Sequence, residues 1–451
     1  MTLGNILQEL AKQIIALCED WKKDGKIRKE PRIYVKHKIE NFEYKSGGIS
    51  CSGSFPNIIK EEWNSGDIFR LIETVKKEVS LFKNSAKVIA DLYSTSEPQA
   101  EFWLSRFVQK LIMGHLEDKV DTTIITDLII TFIGDLEDNP LEWKIKVWLE
   151  GVWMDIEEMD IEKGILIRKP QPDDLEYEHP IDTPLFSKEL MHYPSAILEI
   201  NKRVKVQPYL YPELEKVLST LQLYKIGAVN KIRIEWKPKS ILQISGVSSP
   251  THAWATAYKY PLTTRDVNLL PKFIETIKHL LPTDDKTGAP LPSNPVGIAI
   301  LRYQDSLFKP EGTENKIAYS VMGLEALYLK AKEREELSHR LAQRIAKILE
   351  FFNEPPIKTY NIVKEAYEIR SNFVHGSPLQ TEEPQKTKEI LDKVIELLRK
   401  SILVFLQIGK EKEDFLSLID NAILETQAGE KLQNLMKENI LILGGRDGNE
   451  R

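Results

Sequence analysis

A chain of 451 residues, 42% hydrophobic and 29% charged, has room for two or three domains with real cores and lacks the composition of a disordered protein. Its formal net charge of −6 argues against coating nucleic acid through a broad basic surface, so any contact with RNA is expected to be local. Only Cys18 and Cys51 are present, which excludes a disulfide framework or a multi-cysteine zinc site and fits a reducing interior.

The eight histidines show no HxxxH or HExxH spacing, which gives a protein-built transition-metal site little support, and no cofactor is expected. The longest apolar stretch, 122–134, is interrupted by Asp127 and is too short to span a bilayer. The N-terminus shows no apolar core followed by a cleavage site, so the expected location is the cytoplasm, with no membrane partner.

Residues 3–24 and 67–138 are predicted to be helical. Ile68, Leu71, Ile72, Val75, Val79 and Phe82 form one stripe, and Pro98 starts a helix carrying Phe102, Trp103, Phe107 and Leu111. Between these helices Gly47, Gly48, Gly53 and Pro56 mark a turn-rich connection, with a short hairpin around Ile39 to Tyr44. Residues 1–140 therefore read as a mainly helical region.

The period then changes. Trp143, Ile145, Val147 and Leu149 alternate with Lys144, Lys146, Trp148 and Glu150, a strand pattern that Gly151 lets continue or turn. Further strands are predicted at 164–168, 196–200, 231–236, 240–245 and 253–260, with a helix at 212–224 among them. Residues 141–281 thus form a mixed, mainly antiparallel β domain. Its tryptophans alternate along strands, which reads as core or cross-strand packing ahead of a stacking surface.

Pro282, Gly288, Pro290, Pro292 and Pro295 punctuate a Pro-rich linker at 282–295. After it every stripe is helical: Ile317, Val321, Leu324 and Tyr328; Leu337, Leu341, Ile345 and Ile348; Ile390, Val394, Leu398 and Ile402; then Phe415, Leu418 and Ile419. Residues 296–425 are expected to form a compact α-helical bundle, followed by a tail at 426–451. The fold class is α+β and multidomain.

One residue breaks a further stripe, which lies between the second and third of these. Ile362, Val363, Ala366 and Tyr367 recur at helical spacing, and the next positions are 370, 373 and 374. Phe373 and Val374 fit that stripe. Arg370 does not, and a guanidinium on an apolar face is costly unless a carboxylate, a phosphate or a subunit interface receives it. His375 follows five residues later, and Gly376 and Pro378 end the helix. Five residues are about 500° of helix rotation, so the two side chains leave different faces, yet a long arginine at a fraying end can still approach an imidazole. A histidine moves a proton near neutral pH and a fixed cation stabilises charge on a phosphoryl oxygen, a pair suited to phosphodiester chemistry. A half-buried arginine on a structural carboxylate is the plainer alternative.

The arginine, four residues, histidine pattern resembles the HEPN superfamily. The preceding segments look like its Apea-like branch: RYQDSLF at 302–308, KIAYSVMGLEALYL at 316–329, LSHRLAQRIAKIL at 337–349 and YEIRSNFVHG at 367–376. The resemblance covers some 130 residues and implies a helical bundle that cleaves RNA without a metal, with the motifs of two subunits meeting at a homodimer interface. Carried onto this chain, His375 is the general base or acid, Arg370 stabilises the charged phosphorane, and Asn372 positions. The products end in 2′,3′-cyclic phosphate. Many HEPN nucleases carry Asn, Asp or His directly after the arginine, where this chain has Ser371. The branch further suggests prokaryotic antiphage or toxin-type defence, with N-terminal domains that sense a trigger or regulatory partner.

Three supporting groups come from the neighbouring segments. Glu325, among the apolar Val321, Met322, Tyr328 and Leu329, is the best candidate to hold Arg370. Arg340 and Arg344, four apart, either present two cations to a phosphate or form a solvated face balanced by Glu333, Glu335 or Glu336. Ser371 and Asn372 either orient His375 or a phosphate, or cap the helix end. The rival to a nuclease is a non-catalytic bundle that binds RNA, a nucleotide or a protein partner; a third reading makes Arg370 a core ion pair and puts the function in the β domain.

Overall fold

Thr2 starts the first helix by accepting from the Asn5 backbone N–H, and Leu7, Leu10, Ala11, Ile14 and Cys18 recur at the spacing that buries one face. This helix, α1 (Leu3–Lys23), opens the computed structural model, which describes residues 2–45, 48–117, 122–137, 141–181, 193–204, 211–242, 246–248, 259–374 and 384–442. It is followed by β1 (Lys29–Lys36), β2 (Lys38–Lys45), β3 (Gly48–Ser54) and β4 (Asn57–Trp63), then by α2 (Ser65–Glu78), α3 (Ser80–Leu92), α4 (Glu97–Leu116) and α5 (Thr122–Glu137). The five helices close over a core that includes Phe82, Trp103, Phe107 and Phe132.

The hairpin expected near Ile39 is present as β2 and β3, but two further strands flank it. β1 and β4 pair antiparallel, with Ile33 opposite Ile59. Their few apolar residues are contiguous, Ile33 to Val35 and Ile58 with Ile59, among Arg, Lys and Glu, and Ile33 and Ile59 are exposed, so no alternating buried stripe announces these strands.

The middle of the chain holds β5 (Leu141–Glu150), β6 (Val152–Met154), β7 (Glu158–Glu162), β8 (Ile165–Arg168), α6 (Pro172–Leu175), β9 (Glu178–Pro180), β10 (Ala196–Val204), α7 (Tyr211–Tyr224), β11 (Asn230–Pro238), β12 (Gly246–Ser248), β13 (Tyr260–Leu262) and α8 (Asp266–Ile277). The main sheet runs β12-β11-β5-β10-β8-β7, antiparallel at every step. β9 pairs with β1, which ties the N-terminal strands to this region. The strand expected at 240–245 is replaced, over Ser240 to Leu242, by a turn held by Asp135: its carboxylate accepts from the Ser240 hydroxyl and the Ile241 N–H. Residues 243–245, and 253–258 of the next predicted strand, lie outside the described residues.

The C-terminal part is helical: α9 (Pro295–Phe308), α10 (Thr313–Tyr328), α11 (Leu337–Leu349), α12 (Pro356–Val374), α13 (Pro384–Ile408), α14 (Lys412–Leu424) and α15 (Thr426–Asn439). α10 packs on α9, α12 and α13, and α11 packs on α12 and α14. Gly323 sets how closely α10 approaches: a Cβ there would lie 2.9 Å from the Leu398 methyls of α13 and 3.3 Å from Arg302 Cβ of α9.

Two expected boundaries take a different form. The segment 282–295 is an ordered turn, in which the Leu291 N–H donates to the Pro282 carbonyl and Thr283 bridges to Pro290. One apolar core continues past it, from Ile145 and Leu198 of the sheet through Leu221 and Phe273 to Tyr303 and Leu398 of the bundle. The expected tail at 426–451 begins instead with α15, which buries Ala428, Leu432 and Met436 against its neighbours. Those three residues are four apart, a spacing that aligns them on one helical face.

A polar clasp joins sheet region to bundle at the end of α7. Its last four carbonyls, of Leu221, Gln222, Leu223 and Tyr224, are the acceptors that a helix leaves without intrahelical donors. The Tyr260 hydroxyl donates to Leu221 at 2.7 Å and the Tyr303 hydroxyl to Gln222 at 2.9 Å. Arg399 of α13 donates to Leu223 and Tyr224 at 2.8 and 3.2 Å, placing a cation at the negative end of the helix dipole.

Candidate active site

Pro356 begins α12, where a missing N–H costs no hydrogen bond. The buried face then follows Thr359, Val363, Ala366 and Ile369. Because 3.6 residues make a turn, the stripe steps from 366 to 369 here, and Arg370 stands at its margin. Its side chain is 24% exposed. Phe373 and Val374, expected on the buried face, are 43% and 54% exposed: the buried stripe of α12 ends at Ile369.

Arg370 Nη2 donates to Glu325 Oε2 of α10 at 3.2 Å. This joins the two side chains that the sequence paired. The guanidinium carbon also lies 5.8 Å from the centre of the Tyr367 ring. Burial pushes the Glu325 carboxyl above the ordinary glutamate range, and Arg370 opposes that shift. The ion pair is thus a partial one: a single long contact on a partly desolvated carboxylate. Arg370 Nε is buried without a hydrogen-bond partner among the described residues, so the guanidinium retains donor capacity.

His375, Gly376 and Pro378 lie outside the described residues, immediately beyond the last described residue of α12. Ser371 and Asn372 are half-buried on α12.

The two arginines of α11 are separated in role. Arg344 is 2% exposed and fully engaged, donating to Glu333 at 2.6 and 2.9 Å, to Asp420 at 2.7 and 2.9 Å, and to the Tyr328 carbonyl at 2.6 Å. It ties α10, α11 and α14 together. Arg340 stays at the surface, 3.5 Å from Glu333. A joint phosphate clamp is therefore not formed by this pair: one guanidinium is spent inside the bundle.

Sequence reasoning missed the cleft on the other side of Glu325. About 600 Å³ in volume, it lies where α9, α10 and the start of α14 meet and is lined by Ile298, Arg302, Met322, Glu325, Leu329 and Lys412 among others. Three separate helices supply it, so no local spacing could have signalled it. Lys412 donates to the Ala326 carbonyl at 2.7 Å, and burial lowers its pKa. Arg302 is shared with Asp305 at 2.8 Å.

Among the described residues no three His, Cys, Asp or Glu side chains converge as metal ligands would, and no helix is long and apolar enough to cross a membrane. The chain matches no protein-family model, no curated protein and no solved structure.

Proposed function

We propose that the protein is a metal-independent endoribonuclease of HEPN type, with Arg370 and His375 as its catalytic residues. The observation that carries this reading is the state of Arg370, a guanidinium oriented by one carboxylate yet holding a buried Nε without a partner among the described residues, five positions before His375 in the sequence. A cation kept for structure alone is normally saturated, as Arg344 is. Arg370 instead keeps donors for a phosphoryl oxygen.

In the proposed reaction a 2′-hydroxyl loses its proton to one His375 imidazole, and its oxygen attacks the adjacent phosphorus. Negative charge grows on the non-bridging oxygens, where Arg370 donates. The P–O5′ bond breaks, and the leaving oxygen takes a proton from the second imidazole of a homodimer. The ends left are a 2′,3′-cyclic phosphate and a 5′-hydroxyl. Ser371 and Asn372, half-buried on the same helix end, would orient the phosphate. Regulation by the N-terminal region in response to an invading element fits the same reading and the family resemblance.

The test is incubation of the purified protein with single-stranded RNA in EDTA. Cleavage is expected. Complete dependence on added magnesium or manganese would overturn the mechanism.

A further inference from the structure

The cleft beside Glu325 offers a donor and an acceptor that leave each other alone. Glu325 gives one oxygen, Oε2, to Arg370, and no protein donor among the described residues takes Oε1. Lys412 holds one of its three N–H groups on the Ala326 carbonyl and makes no contact within 4.0 Å with any carboxylate among the described residues. Both side chains line the same space, and they form no ion pair with each other. The rest of the lining includes the apolar Ile298, Met322 and Leu329, together with Arg302, which Asp305 engages, and Glu413. A half-buried ammonium and a half-buried carboxylate on one cleft of about 600 Å³ suit a flat ligand that carries both donors and an acceptor.

We propose that this cleft is a nucleobase site that reads the Watson–Crick edge of guanine, with Glu325 accepting from N1–H and N2–H and Lys412 donating to O6. Guanine is the base that offers a carboxylate two parallel donors beside an acceptor for a cation. Adenine and cytosine present one exocyclic amine there, and uracil one ring N–H. Unstacked bases of single-stranded RNA expose this edge, and a site built to hydrogen-bond it rejects bases that leave its buried polar groups unpaired. The inference rests on the ribonuclease reading for its biological sense: Oε1 would accept from one base N–H and Oε2, through its second lone pair, from the other while still holding Arg370, linking base recognition to the arginine that meets the phosphate.

The ligand is tested as a free nucleotide and as part of a strand. Titration calorimetry of the full chain with GMP, AMP, CMP and UMP should show GMP binding at least tenfold more tightly than the others. Lys412→Met should remove that preference, and Met322→Trp, which fills the cleft without touching either charge, should abolish binding; circular dichroism confirms that both variants are folded. Cleavage of oligonucleotides with and without guanine supplies the second arm, with guanine-containing strands cut preferentially by the wild type and that preference lost in Lys412→Met. Equal binding of all four nucleotides, or none, overturns the base site. RNA cleavage indifferent to guanine and to Lys412→Met overturns it too, while leaving the nuclease intact; GMP binding without any cleavage keeps the site and removes the nuclease.

Discussion

Two arginines in one bundle show how differently the same side chain can be held. Arg344 is enclosed by Glu333, Asp420 and a carbonyl, whereas among the described residues Arg370 has one carboxylate at 3.2 Å and an unpartnered Nε. Burial would raise the Glu333 carboxyl, but the Arg344 hydrogen bonds win and hold it at about 2. A carboxyl depressed on folding contributes stability that is present above its unfolded pKa and is lost as pH falls toward its folded value. Arg344→Ala should therefore cost about 3–5 kcal/mol at neutral pH, because it leaves buried charge uncompensated. The loss should shrink as pH falls from about 4.5 toward 2, in denaturant titrations at stepped pH.

Glu325 has the opposite sign. Its folded pKa is raised, so folding favours its protonated form, and that contribution is present at low pH and lost as pH rises through the folded pKa. Arg370→Ala removes the one interaction that opposes this shift. We expect a loss of about 1–3 kcal/mol at neutral pH that fades on acidification. Adding Glu325→Gln should recover most of it, since an amide carries no charge to desolvate.

At the scale of elements, the clasp on α7 makes a sharp prediction. Tyr303→Phe removes one hydroxyl and leaves the buried Gln222 carbonyl without its donor, at a cost of about 1–3 kcal/mol. Calorimetry should show one cooperative transition moving down in temperature, because the sheet and the bundle share a core. α15 makes a second: Leu432 is fully buried, so Leu432→Ala should cost about 2–5 kcal/mol, whereas a loose tail would lose nothing.

These elements also show what a sequence discloses. Helices α2, α4, α10 and α11 bury one face each, and α13 is buried all round from Leu397 to Val404; their apolar stripes were readable. The strand pattern of β5 was readable because its tryptophans and branched residues alternate. β1 and β4 were not, since a sheet with exposed isoleucines among charges carries little periodic contrast. α15 escaped because only Ala428, Leu432, Leu435 and Met436 mark its apolar side among many polar residues. At the site, the pairing of Arg370 with Glu325 was legible from an arginine in an apolar stripe. The exposure of Phe373 was not, because an apolar residue at the next helical position continues the pattern although the buried stripe ends at Ile369.

At the scale of the whole molecule, the exposed Phe373 and Val374 beside Arg370 bear on assembly. One chain supplies one Arg370 and one His375, and a two-fold axis near the end of α12 would cover that apolar surface and bring two motifs together. Light scattering over a range of concentrations should report a homodimer. Phe373→Asp should shift it toward monomer and reduce cleavage together, while leaving the thermal transition nearly unchanged, as an exposed position requires.

End-group analysis of RNA incubated in EDTA with wild type, Arg370→Ala and His375→Ala tests the central claim most directly. Fragments ending in 2′,3′-cyclic phosphate and 5′-hydroxyl are expected from the wild type alone, with both variants folded and inactive. Equal cleavage by all three proteins, or ends bearing a 3′-hydroxyl and 5′-phosphate, would contradict it.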